Sequence, residues 1–171
     1  MKWFMLVVLL CCAVTVTAQS VPAPAALYTK ATLTQTLEII RSARREIYLL
    51  APSLRNADVV RAVRSRLEAG VTLRLLIANK PGYTGFETGL RGLRNVDARW
   101  LPERIGGAML LVDNQALVIG SVVSGLSSSG ESIAVTRAEL VPAMAAPLKE
   151  LFARARRVPR GLGRWACFTW R

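Results

Sequence analysis

"RIGGAMLLVDNQALVIGS", Arg104 to Ser121, sets two apolar runs on either side of Asp113-Asn114-Gln115 and closes the second with Gly-Ser. The pattern predicts a β-hairpin: "GAMLLVD" as one strand, a turn at Asn114-Gln115, and "ALVIGS" as the other. Hairpin strands pair antiparallel. The fold class then depends on what kind of sheet the hairpin joins.

Upstream lies a parallel unit. "EIYLLAPS" (Glu46–Ser53) is a short, nearly continuous apolar run stopped by Pro52, the signature of a buried strand. Asn56 opens a helix with Val59, Val60, Val63 and Leu67 on one face, and Gly70 closes it. "VTLRLLIA" (Val71–Ala78) is the next strand. Strand, helix, Gly and strand in about 32 residues form a βαβ unit, which requires parallel pairing and a right-handed crossover. An earlier helix starts at Thr32, with Leu33, Leu37 and Ile40 at helical spacing. Downstream, "VDARWLP" (Val96–Pro102) and "ESIAVTR" (Glu131–Arg137) read as further strands. Leu140 to Arg157 reads as a helix, broken or delayed by Pro142 and Pro147. Parallel and antiparallel pairs together predict a mixed sheet flanked by helices, an α/β single domain.

The ends carry other signals. Lys2, the apolar run Trp3–Val14 and the small residues Val16 and Ala18 read as a secretory signal peptide over residues 1–18. The run is short for a membrane span, which needs roughly 20 apolar residues. A Pro/Ala linker follows over 19–27, then the domain over 28–157, then a basic, aromatic tail over 158–171. Cleavage would remove Cys11 and Cys12 and leave only Cys167, so no internal disulfide is expected. Export to the periplasm or the medium is the implied destination.

The net charge is +12, and only four of the 23 basic residues are Lys. Such a surplus attracts polyanions, nucleic acid or anionic lipid, and the same charge also suits a solvated surface. Candidate polyanion contacts are Arg61, Arg64 and Arg66 on the second helix, and Arg154, Arg156 and Arg157 near the end. The tail adds Trp165, Phe168 and Trp170 between Arg residues, a pattern for stacking on single strands or seating at a membrane interface. "NKPGYTG" lacks the spacing of a phosphate loop. The chain has no His at all. That excludes His nucleophiles, His acid–base catalysis and His metal sites, and neither a metal nor another cofactor is expected.

The βαβ start, middle strand and hairpin ending Asp-x6-Gly-Ser resemble one half of the phospholipase D superfamily. The likeness runs from about Tyr28 to Arg157, through "ARREIYLLAPSL", "VVRAVRSRLEAGVTLRLLIA" and "LLVDNQALVIGSVVSGLSSSGESIAV". The family motif is His-x-Lys-x4-Asp-x6-Gly-Ser-x-Asn. Aligned on Asp113, Gly120 and Ser121 match, while Gly106 stands for the His, Ala108 for the Lys and Val123 for the Asn. The resemblance implies that a His would attack phosphorus and a second His, from a partner motif, would protonate the leaving oxygen. Gly106 cannot hold a phosphoryl group. Ala108 and Val123 cannot stabilise its oxygens. Asp113 is either the motif Asp or a turn residue, since Asp favours turns. Ser121, Ser124 and Glu131 are the candidates for residual phosphate contact, with nearby backbone N–H groups and Arg. Active single-motif relatives complete their site across a homodimer, so a homodimer, or a heterodimer with an intact chain, is implied. The expected protein is an exported, degenerate phospholipase D-like domain that binds a phosphate-bearing polyanion or serves as an interaction subunit. The alternative is an active phosphodiesterase working with an intact partner or by a divergent mechanism.

Overall fold

The computed structural model describes residues 29–78, 90, 93–103, 105–124 and 132–157. The proposed signal peptide, linker and tail, with Glu131 and Cys167, lie outside them. One mixed sheet of eight strands organises the described residues, in the order β1-β7-β6-β5-β2-β3-β4-β8. Its strands are β1 (Thr29–Lys30), β2 (Glu46–Ala51), β3 (Thr72–Ile77), β4 (Val96–Trp100), β5 (Met109–Val112), β6 (Ala116–Gly120), β7 (Ser132–Val135) and β8 (Arg156–Arg157). β2, β3 and β4 are parallel neighbours, and every other pairing is antiparallel. The mixed α/β sheet expected from the sequence is therefore present.

Local chemistry fixes the helices. Thr32 and Gln35 form a reciprocal capping box at the start of α1 (Leu33–Ser42). Asn56 Oδ1 accepts from the N–H groups of Asp58 (2.9 Å) and Val59 (3.3 Å), starting α2 (Ala57–Glu68). Gly70, at φ +94°, turns the chain out of α2 toward β3. Asn95 braces that turn by donating to the carbonyls of Leu67 (2.9 Å) and Val71. α3 (Ser121–Ser124) is a single turn directly after β6, where the sequence suggests only a bend.

α4 (Val141–Arg154) starts where expected and differs from expectation in its middle and at its C-terminal end. It runs through Pro147 unbroken, because Val141, Ala145, Leu148 and Phe152 are buried along one side and hold it on the sheet. It stops at Arg154: Ala155 is extended, and Arg156 and Arg157 pair with Trp100 and Arg99 as β8. Arg99 anchors this end. Its guanidinium donates to the carbonyls of Phe152 (3.0 Å) and Ala153 (3.3 Å) and lies 4.3 Å over the Phe152 ring.

Strand alternation divides the core in two. Ile47, Leu49, Leu73, Leu75, Leu110 and Val112 face α1 and α2. Tyr48, Leu50, Leu76, Leu111 and Leu117 face α4. The central strands are apolar on both faces because both are covered.

One carboxylate ties this arrangement together. Asp113 and Asn114 both have positive φ, +49° and +60°, and the Gln115 N–H donates to the Val112 carbonyl at 2.9 Å. The tight turn thus sits one residue earlier than the sequence reading puts it. Asp and Asn are among the few non-glycine residues that tolerate this geometry. From the turn, the Asp113 carboxylate accepts the backbone N–H groups of Arg44 (2.6 Å), Arg45 (2.8 Å) and Glu46 (2.8 Å). Those groups lead into β2, the strand that β5 pairs with. Burial works against the charge of Asp113. The three N–H groups and the Arg45 guanidinium outweigh it and hold the carboxyl below its ordinary pKa of 3.8.

Asp113→Asn keeps the turn and removes the charge, so it is expected to lose roughly 1–2 kcal/mol near neutral pH, read by urea denaturation. The folded-state pKa is depressed, so the stabilisation is complete above the ordinary value of 3.8 and disappears as pH falls through the lowered one. The stability gap between wild type and variant should therefore close on acidification below about pH 4. A gap independent of pH would contradict the charged clamp.

Candidate functional site

The motif positions gather at one end of the sheet, opposite the Asp113 turn. β5 runs antiparallel to β2, with Met109 beside Leu50, so Gly106–Ala108 lie by the exit of β2. β6 returns alongside, and the Gly120 N–H donates to the Ala108 carbonyl at 2.9 Å. Gly120 has φ +138°, a conformation suited to glycine, and it delivers the chain into α3. The loop leaving β2 meets α3 where the Arg55 N–H donates to the Ser124 carbonyl at 3.1 Å. The fold therefore brings Ser53, Gly106, Ala108, Ser121, Val123 and Ser124 to one region.

Each position has a distinct character. A Cβ placed on Gly106 would meet no atom within 4 Å, and Gly106 is exposed. Ala108 is 1% exposed and Val123 is fully buried, and both belong to the core beneath α1 and α2. Ser124 Oγ donates back to the Ser121 carbonyl (2.9 Å), a local tie that occupies its proton. Ser121 Oγ and Ser53 Oγ are buried atoms without a hydrogen-bond partner among the described residues. Ser53, 6% exposed, escapes sequence reasoning because it follows Pro52 outside any motif. Ser132 Oγ accepts the Val122 N–H at 3.1 Å and supports α3 from β7. The site offers hydroxyls and open space at its rim and hydrocarbon where the motif would need an ammonium and an amide. Asp113 is not part of it.

The basic candidates do not join this region into one surface. Arg61 pairs with Asp58, and Arg64 pairs with Glu68 at 2.9 Å, so two of the three α2 arginines face their own helix's carboxylates. Arg66 is half-buried, and its Nε is buried without a partner among the described residues. Arg154, Arg156 and Arg157 are exposed at the β4–β8 edge. A further basic group, which sequence reasoning does not single out, surrounds Tyr48 beneath α4. Arg74 lies 5.2 Å from the Tyr48 ring centroid, and Lys149 Nζ lies 5.9 Å from it. Burial first, then the Glu46 charge, push the Tyr48 phenol up against the opposing pull of Arg74 and Arg99. Its only forerunner in the sequence is the alternation of Glu46, Tyr48, Thr72 and Arg74 along two strands.

This architecture, a mixed sheet with the motif frame at the exit of its parallel strands, is the phospholipase D-like fold. Among solved structures, NucT from Helicobacter pylori superposes with a TM-score of 0.60 at 12% identity, covering 77% of this chain and 99% of that one. The phospholipase D family member Nuc from Salmonella typhimurium gives 0.54 at 16% identity, over 73% of this chain and 89% of that one. The archaeal chromatin protein TrmBL2, described with a novel mode of DNA binding, gives 0.56 at 14% identity. That match covers 82% of this chain and 57% of that protein. No protein-family model matches the chain, and no curated protein does.

The contrast among the motif positions is measurable. Gly106→His is expected to change stability by less than about 0.5 kcal/mol, since the new side chain enters open space. Ala108→Lys buries an ammonium and should cost about 3 kcal/mol or more. Val123→Asn should cost about 2–4 kcal/mol through lost packing and an unsatisfied amide. Thermal unfolding of the three single variants reads this order. Equal tolerance at all three positions would contradict the burial pattern.

Proposed function

We propose that this protein is an exported, non-hydrolytic phospholipase D-like domain that binds a phosphate-bearing polyanion. The observation that carries the reading is the burial of Ala108 and Val123 in the apolar core. A group that contacts phosphate oxygens must reach the ligand, and these two side chains end in hydrocarbon contacts. Gly106 leaves the nucleophile's place empty, and no His exists elsewhere to fill it.

Binding is supported by charge. The net charge is +12, and the exposed Arg154, Arg156 and Arg157 have no ion pair among the described residues, unlike Arg61 and Arg64. Among macromolecules, nucleic acid is favoured: a chromatin protein described as binding DNA shares the fold. Export rests on the signal-like residues 1–18. A homodimer, or a heterodimer with an intact-motif chain, is the assembly this reading allows, and in the heterodimer the partner would supply any hydrolysis.

The purified protein is expected to show no turnover of a chromogenic phosphodiester above a nuclease-free control. It should be retained on DNA with an affinity that falls at least tenfold between 50 and 200 mM salt, as counterion release requires when several phosphates are contacted. The double variant Arg156→Gln/Arg157→Gln should weaken retention more than Arg61→Gln/Arg64→Gln. Turnover that survives the control would overturn the non-hydrolytic reading, and salt-independent or absent retention would overturn polyanion binding.

A further inference from the structure

A pocket of about 450 Å³ opens at the end of the sheet opposite Gly106 and Ser121, lined by Arg45, Glu46, Thr72, Arg74, Asp113, Asn114 and Lys149. Glu46 and Ser53 are seven positions apart along and just beyond β2, so the two regions are roughly 20 Å apart. The pocket is a construction of the whole fold. Asp113, Glu46 and Thr72 are neighbours across β5, β2 and β3 and form its floor. Lys149 reaches it from α4, and Asn114 from the hairpin turn.

Its two carboxylates are already engaged. Asp113 is saturated by three backbone N–H groups, and Glu46 pairs with Arg74 at 3.3 Å. The donors are less committed. Lys149 Nζ gives one proton to Asn114 Oδ1 at 2.9 Å, and an ammonium has three. The Arg45 guanidinium is exposed and has no ion pair among the described residues apart from its field on Asp113. Thr72 has no side-chain hydrogen bond among the described residues. Three cations against two satisfied carboxylates leave the pocket positive and rich in unused donors. A monocarboxylate accepts too few hydrogen bonds to answer them all. A dianionic phosphate with three terminal oxygens matches the number and spread. The sheet closes one side, which suits a group at the end of a molecule better than a diester continuing in both directions. The volume falls in the range of small-ligand sites.

We propose that this pocket binds a phosphate monoester, held by Lys149 and Arg45 with Thr72 Oγ1 and Arg74 as further donors. The site lies at the opposite end of the sheet from Gly106 and Ser121 and shares no residue with the basic edge at β8. A small molecule and the end of a nucleic-acid strand both present such a monoester, and the chemistry of recognition is the same.

The test is an amide NMR titration of the full chain at pH 7.5 and constant ionic strength. The probes are phenyl phosphate and a short oligonucleotide with a 5′-phosphate, set against its 5′-hydroxyl twin. Saturable shifts at the amides of Thr72 and Asn114 are expected, weakened at least tenfold in Lys149→Gln and several-fold in Arg45→Gln. Arg45 is exposed, so its variant keeps the test valid if Lys149→Gln unfolds. Saturation by phenyl phosphate identifies a small ester. Preference for the phosphorylated strand without it identifies a strand end. No saturable shift with any probe, equal binding of both oligonucleotides without phenyl phosphate binding, or wild-type affinity in a folded variant would overturn the proposal. DNA retention that persists in these variants leaves the polyanion reading standing, so the two can fail separately.

Discussion

The carboxylate of Asp113, gripped by three consecutive backbone N–H groups at the entry to β2, is the contact on which the geometry rests. It joins a hairpin turn to a segment 67 to 69 residues earlier in the chain. Once that turn is pinned, the pairing of β5 with β2 is fixed, and side-chain parity follows along both strands. Leu110 and Val112 go to the core under α1 and α2, Met109 and Leu111 toward α4. A slip by one residue would exchange those faces. The same pin places residues 106–108 at the far end of the sheet and leaves Glu46 and Thr72 at the near end.

In the reading proposed above, the motif frame keeps its backbone roles without its chemistry. Gly120 still turns the chain into Ser121, and Asp113 still holds the hairpin, because both serve the backbone. The positions aligned with the motif's ligand-contacting residues differ in character with their location. Ala108 and Val123 lie inside and carry hydrocarbon side chains. Gly106 lies outside, in open space, where nothing requires a side chain. Ser53 and Ser121 have buried hydroxyl oxygens without hydrogen-bond partners among the described residues.

Much of this architecture is legible in the residues themselves. Thr32 and Asn56 announce the helix starts, Gly70 a helix end, and the nearly continuous apolar run of β2 its burial on two faces. The absence of His is plain before any coordinates. Other parts have no local signal. β1 and β8 are two residues long, too short for any periodicity. Arg99 looks like a surface arginine, yet it closes the end of α4, because the carbonyls it meets are more than fifty residues away. Pro147 suggests a break, but four buried side chains on the other face of α4 outweigh it. The pocket at Lys149 is invisible for a related reason: its members come from four separate segments, and only the assembled sheet and α4 make them neighbours.

The short outer strands have a colloidal consequence. An exposed strand edge is a template for a second chain, and long apolar edges invite aggregation. Among the described residues this sheet ends in Thr29–Lys30 on one side and Arg156–Arg157 on the other, each only two residues long and bearing positive charge. Two such molecules approaching edge to edge repel before their backbones can register. The interior strands can therefore be as apolar as Leu and Ile allow while the protein resists the stacking that such sequences would otherwise favour.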